Sequence, residues 1–289
     1  MSASHSAATV ASTPASTFVG AIRAEFIKLF STRMWWVLLM IMVAYVGVMA
    51  AAMAGLFGSN MGDAGGMPPA EEGQLATLPS LVYSLATSLG YVFPVILGTL
   101  AVTGEYRHQT LTPTFLATPK RGRVLLAKLL VLALVGALFG AAALIGTVGI
   151  GGPILAATGN DSGLGDTETW MLIARAVLAM ALWAVIGVGV GTLIPNQVAA
   201  IVVLLAFTQF VEPTLRAAAL FADWAADIGR FLPGAAGDAL VGASFFSLVS
   251  AGATSADPLL WWQGGLVLLA IAVVAALIGY VSAWRKDVT

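Results

Sequence analysis

Five stretches of 27 residues or more contain no Asp, Glu, Lys or Arg: residues 34–62, 73–104, 129–160, 176–211 and 258–284. They run for 29, 32, 32, 36 and 27 residues, each longer than the ~20 apolar residues that cross a hydrocarbon core about 30 Å thick. A soluble particle could not leave so much of itself uncharged without exposing large apolar patches. Composition agrees: 59% of the 289 residues are hydrophobic and only 9% are charged, against roughly 25% charged in ordinary soluble domains. The formal charge of −1 gives no support for a nucleic-acid binder, which would carry a basic field over the whole domain.

The 36-residue stretch is too long for one span and carries Pro195-Asn196-Gln197 near its middle. Proline removes a backbone donor and disfavours helix in the residue before it. Two helices joined by a tight turn are therefore predicted, and six spans result, near 35–57, 80–103, 124–150, 170–194, 197–212 and 260–284. A rival seventh span, 239–256, is only 18 residues long and rich in Gly, Ser and Ala. The basic residues decide between the two. With six spans, Arg23, Lys28, Arg33, Arg107, Lys120, Arg121, Arg123, Lys128, Arg285 and Lys286 share one side, leaving Arg175, Arg216 and Arg230 on the other. A seventh span would carry Arg285 and Lys286 across and weaken that bias. The reading is an all-α polytopic protein of the plasma membrane with both termini cytoplasmic. Its nine Arg against four Lys, with abundant Ala, Gly and Val, match the usage of a GC-rich bacterial genome.

Residues 1–17 are Ser-, Ala- and Thr-rich, with neither a basic nor an apolar segment of a signal peptide, and read as a disordered cytoplasmic tail. Residues 18–289 read as a single six-span domain. At its start, Phe18, Val19, Ile22, Phe26, Leu29 and Phe30 fall on one helical arc, with Glu25, Lys28, Ser31 and Thr32 on the other. That pattern predicts an amphipathic helix lying in the inner interface. Trp35-Trp36, Trp261-Trp262 and Trp284 mark headgroup level. On the outer side, 213–258 is long but still apolar. Leu215, Ala218, Ala219, Ala222, Ala226 and Phe231 keep a helical period, Pro233-Gly234 breaks it, and 235–250 reads as a second short helix. With Phe245-Phe246 and so few charges, these pieces are expected to dip into the outer leaflet or cap the bundle.

Most chemistry is excluded. Without cysteine there is no disulfide, thiolate metal site or thiol nucleophile, and His5 and His108 are too few and too far apart for a metal site. No ionisable group lies near the middle of a span. Arg175 and Glu212 sit near outer ends and Glu105 and Lys128 near inner ends, where side chains are expected to reach the interface. That argues against a proton-coupled antiporter or an intramembrane protease, and implies an apolar wall with scattered Thr, Ser, Gln and Tyr. No G-x-x-x-x-G-K-[ST] run occurs, so the chain cannot hold ATP in that way. Gly136 with Gly140, and Gly187 with Gly191, read as tight helix contacts. Asn160-Asp161-Ser162 reads as a turn.

The informative segment lies between spans two and three, running from Gly104 to Arg123. Together with Lys128 it gathers five of the thirteen basic residues. Its middle alternates Thr with Leu and Phe, giving a short helix two kinds of surface. Lys120, Arg121 and Arg123 suit ordinary membrane anchoring. Anchoring needs neither a Glu at the membrane exit nor an apolar helix held off the bilayer. The run Gly104-Glu105-Tyr106-Arg107-His108-Gln109-Thr110, then Leu116-Ala117-Thr118-Pro119-Lys120-Arg121 and Ala127-Lys128, resembles the permeases of ABC-2 type exporters. Upstream, Glu25-Phe26-Ile27-Lys28-Leu29 to Trp35-Trp36 is similar to that family's amphipathic first helix. Downstream, Phe231-Leu232-Pro233-Gly234-Ala235-Ala236 is similar to its re-entrant outer region.

The resemblance implies a subunit that dimerises with a second copy or a paralogue and binds two cytoplasmic ATPases. ATP and Mg would be held by those partners, with no cofactor or metal in this chain and no enzyme activity of its own. It also implies a coupling helix seated in a groove of the ATPase. Glu105 would take the acidic position at the span exit, and Tyr106 to Phe115 would form the docking helix, through Arg107, His108, Gln109, Thr110 and Leu111. Many relatives of that family have Gly where this sequence has Gln109, a departure that bears on where the helix starts. The family's second and fifth spans line the central path, which would put Ser88, Tyr91, Phe93, Thr99, Phe207 and Gln209 near it. The function expected is ATP-driven export of a lipophilic or amphiphilic substrate. Two other classes stand beside it: a membrane anchor or regulator using the same loop to recruit a partner, and a secondary transporter, which the uncharged membrane interior disfavours.

Overall fold

The computed structural model describes residues 18–63, 77–117, 120–219, 221–244 and 259–284, and every regular element among them is a helix. The expected tail over 1–17, most of the rival span 239–256, Phe245-Phe246, and Arg285 and Lys286 lie outside the described residues. A short helix, α1 (Phe18–Phe30), precedes α2 (Met34–Asp63). The second span is α3 (Leu78–Ser88) followed by α4 (Val92–Arg107), and α5 (Leu111–Ala117) leads to the third, α6 (Arg121–Ala157). Then come α7 (Thr167–Leu193), and a fifth span built from α8 (Gln197–Ala206), a π-helical turn Phe207–Val211 and α9 (Glu212–Ala218). Two short helices, α10 (Asp223–Gly229) and α11 (Pro233–Val241), precede α12 (Trp261–Gly279), which ends in a second π-helical turn, Tyr280–Trp284. Six helical segments are long and apolar enough to cross a membrane.

Local chemistry explains the boundaries. At the predicted break, α7 stops at Leu193 and the Asn196 side chain caps α8 by accepting from the Ala199 N–H at 3.0 Å. Thr77 caps α3 in the same way, and Pro79 fits its first turn. The turn read at Asn160-Asp161-Ser162 is present. Gly159 and Gly163 around it adopt positive φ, and the Asp161 carboxylate accepts from the Gly163 N–H.

The second span departs from the continuous helix expected over 80–103. It is interrupted at Leu89-Gly90-Tyr91, because Pro94 has no N–H to offer the Gly90 carbonyl. Phe93 N–H bonds that carbonyl instead, at 3.1 Å. Beyond the fifth span, the chain breaks before Pro233 as expected, but the preceding period is itself divided between α9 and α10; Pro233 opens α11, which ends at Gly242 with φ 89° where 235–250 was expected. α6 runs past the expected 150 to Ala157 with Pro153 inside it. At about 55 Å it is far longer than a hydrocarbon core is thick, so its ends project.

The seventh helix is the centre of the bundle, packed along α4, α6 and α12, while α2 lies along α6 and α8 leans on α4. Glycines set these contacts, as the sequence predicted. A Cβ at Gly187 would lie 2.1 Å from the Val95 carbonyl oxygen, and one at Gly98 would lie 2.2 Å from that of Ala184. Gly136 and Gly140 face Met180 and Val177 on α7 in the same close manner, and Gly191 faces Thr99. Backbones meet where an added methyl has no room.

Two substitutions test this packing with opposite signs. Gly187→Ala should destabilise the protein by about 1–3 kcal/mol through overpacking. Gly149→Ala, with open space around the new Cβ, should stabilise α6 by up to about 1 kcal/mol. Thermal melts in detergent read both, and equal shifts would contradict the packing described.

Candidate functional site

Four charges gather where α1, the end of α4 and the start of α6 meet. The Lys128 ammonium, 2% exposed, bonds the Glu25 carboxylate, lies 3.2 Å from Glu105 Oε1 and donates to the Ala101 carbonyl at 3.3 Å. Lys28 donates to Glu25 Oε1 and Glu105 Oε1, both at 2.8 Å, and to Thr114 Oγ1 at 3.3 Å. Two cations face two carboxylates, so the cluster is neutral. Its partners come from four elements: α1, α4, α5 and α6. Glu105 Oε2 is buried without a hydrogen-bond partner among the described residues.

This placement corrects two expectations. Glu105 and Lys128 do not reach out to the interface; their side chains turn inward, because each finds its counter-charge there. Nor does α1 present Glu25 on an outer polar arc. Glu25 is buried with Ala21 and Leu29, whereas Val19 is 74% exposed and Ile27 and Phe30 are also exposed. Burial disfavours the charged form of Glu25, yet Lys128 and Lys28 together hold its carboxyl below the usual glutamate value. For Lys28, burial is outweighed by Glu105 and Glu25, which raise its pKa.

The expected docking helix, Tyr106 to Phe115, is divided. Tyr106 and Arg107 finish α4. His108 caps it, Gln109 takes φ 54°, and Gln109 N–H and Thr110 N–H bond back to the carbonyls of Tyr106 and Glu105. This is the left-handed helix stop that Gly usually occupies. The seven residues of α5 follow. Leu111 is fully buried and fixes the helix, Phe115 lies half-buried under the Arg121 guanidinium at 4.9 Å, and Thr112 and Pro113 face outward with Leu116, which is 80% exposed. Arg107 donates to the Gln197 side chain at 3.3 Å, linking the end of the second span to the start of the fifth.

A second cluster occupies the opposite end. Arg216 donates to Glu212 Oε1 at 3.2 and 2.7 Å and to Asp238 Oδ2 at 2.6 Å, and Ala235 N–H caps Glu212 Oε1 at 3.0 Å. Glu212 was expected at the interface but is 3% exposed. Burial pushes the Asp238 carboxyl above its usual range, against the opposing pull of Arg216. A cavity of about 90 Å³ lies against this cluster. It falls where the second span is interrupted and the fifth makes its π-helical turn.

Of the residues expected on a path, Ser88, Tyr91 and Gln209 line this cavity. Gln209 donates to the Tyr91 hydroxyl at 3.1 Å. Thr99 is buried and staples the second span to α7 through the Gly187 carbonyl at 3.1 Å, Phe93 packs beside Tyr45, and Phe207 is exposed on the outside of the fifth span. The sequence reading passed over Glu25, Lys28, Thr114 and Lys128 as a group, and over Arg216 with Asp238. A signal existed in the pairs Glu25–Lys28 and Glu212–Arg216, opposite charges one helical turn apart in otherwise apolar helices.

These features, six apolar helical segments with a short first helix and a helical loop after the second, define a polytopic helical membrane protein. The sequence pattern of the ABC-2 family transporter proteins matches residues 21–211, two thirds of the chain and both halves of the four-charge cluster; the chain belongs to that family and is its permease component, without an ATPase domain. No curated protein matches the chain.

Removing one member of the buried pair should be costly. Lys128→Met leaves the buried Glu25 and Glu105 carboxylates to share Lys28 alone and should destabilise the fold by about 3–5 kcal/mol. The stability contributed by Glu25 ionisation is fully present above its ordinary value of 4.5 and is lost as pH falls through the lowered folded value. Melts of the wild type and Glu25→Gln should therefore converge on acidification from about pH 6 to about pH 3. Parallel curves would show that Glu25 carries no such linkage.

Proposed function

We propose that this subunit works as a dimer, with itself or a paralogue, in an ATP-driven exporter that moves a lipophilic or amphiphilic substrate outward. The end carrying the four-charge cluster faces the cytoplasm, together with both termini, and α5 is the coupling helix seated on a separate ATPase that binds ATP and Mg. α1 lies along the inner interface, and α10 with α11 caps the outer end. The observation that carries this reading is Lys28, whose ammonium joins α5 through Thr114 to Glu25 and Glu105. A push on α5 is thereby delivered to the second span and, through Lys128, to the third.

The physics supports the assignment. A bundle changes access only when something binds its two states with different free energy. Closure of ATPase partners against the exposed face of α5, around Leu116, supplies that difference. Glu105 accepts from Lys28 and pairs with Lys128 at 3.2 Å, and Arg107 passes the same displacement to the fifth span through Gln197.

Glu105→Gln should leave assembly with the ATPase intact and cut export per ATP hydrolysed by about 10-fold or more, since the loss of a buried charged partner is worth several kcal/mol. Leu116→Asp should instead weaken copurification of the ATPase with no change in melting temperature. Unchanged export from an assembled Glu105→Gln complex, in proteoliposomes, would sink the coupling role. An assembled complex that hydrolyses ATP without moving any solute would favour the anchor reading.

A further inference from the structure

Three observations converge on the cavity at the far end. First, charge: Glu212 and Asp238 face a single cation, Arg216, leaving one net negative charge. Arg216 is committed to both carboxylates, whereas Glu212 Oε2, on a side chain that lines the cavity, is buried with no hydrogen-bond partner among the described residues. Second, aromatic lining: Tyr91 and Trp183 stack at 4.4 Å and both border the cavity. Third, backbone: the two flanking spans are irregular here, interrupted at 89–91 and π-helical at Phe207–Val211. Irregular backbone at membrane depth is tolerated where it lines a cavity, and π-helical turns gather at functional sites.

We infer that this cavity binds the ammonium head of an amphiphilic cation, with Glu212 as counter-ion and the Tyr91–Trp183 pair as its aromatic wall. A carboxylate oxygen in want of a donor, beside aromatic side chains, is complementary to a protonated amine. An anion would meet two carboxylates, and a neutral head could donate to Glu212 Oε2 but would leave the excess negative charge of the cluster unbalanced. At about 90 Å³ the space suits a small alkylammonium head and excludes a whole amphiphile, so the tail leaves towards the apolar surface. Ser88 and Gln209 border the head as polar neighbours. The inference names the substrate class for the exporter proposed above and rests on that reading only for its transport consequence, because binding is measurable on the permease alone.

The test uses the full chain in nanodiscs of zwitterionic lipid, with radiolabelled octylammonium as probe, octanol as neutral competitor and empty nanodiscs subtracted. Octylammonium should bind saturably and resist displacement by equal octanol. Glu212→Gln should weaken binding at least 10-fold, and Tyr91→Leu about 3- to 10-fold. Should Glu212→Gln fail a melting check, Tyr91→Leu decides. Binding that never saturates, that octanol displaces equally, or that neither substitution weakens would overturn the site. Loss of ATP-dependent export with binding intact would instead contradict the exporter reading and leave the ammonium site standing.

Discussion

A lysine with 2% of its side chain exposed governs the organisation of one end of this protein. An ammonium group taken out of water is tolerated only with counter-charges and hydrogen bonds around it. Lys128 draws Glu25 inward from a separate helix and Glu105 from the end of the second span, and those two carboxylates draw in Lys28, which reaches Thr114. Each charge is buried because the others are. The result is a polar knot that fixes how α1, α4, α5 and α6 meet, in a molecule where most helix faces pack through apolar side chains and glycines. Apolar packing lets helices slide; a neutral quartet of charges specifies one register.

The far end repeats the device with a different balance. There Arg216 binds Glu212 one turn away and Asp238 on α11, which pins α11 onto the fifth span. Two carboxylates share one guanidinium, so this cluster carries net negative charge and borders open space, whereas the first is neutral and closed. The contrast separates their proposed roles: the closed cluster transmits displacement, and the open one receives a ligand.

The six spans were legible because the bilayer excludes charge, which writes span boundaries directly into the positions of Asp, Glu, Lys and Arg. Pro195-Asn196-Gln197 announced its break, and the Gly136/Gly140 and Gly187/Gly191 pairs announced their contacts. The interruption before Pro94 was written in the sequence as well, but a span long enough to cross unbroken hid it. The charge clusters were not legible. Lys128 and Glu25 are 103 residues apart and Lys28 and Thr114 are 86 apart, so helical periodicity carries no trace of their meeting. Periodicity in fact pointed the wrong way for α1, because a carboxylate reads as an outer-face residue until a buried cation is known to face it. The helix expected over Tyr106 to Phe115 instead spans Leu111–Ala117, since the helix stop at Gln109 uses a residue that does not advertise left-handed backbone.

If the neutral cluster is what carries displacement, α1 and α5 move as one body during the transport cycle. The chain has no cysteine, so spin labels at Val19→Cys on α1 and Thr112→Cys on α5 report that distance without background. Measured by pulsed electron resonance in the complex with its ATPase, the distance should stay single and unchanged between nucleotide-free and ATP-bound states, and should broaden once Glu105→Gln is added. A distance that shifts with nucleotide in the otherwise wild-type complex, or that ignores Glu105→Gln, would contradict the claim that these four charges couple the loop to the spans.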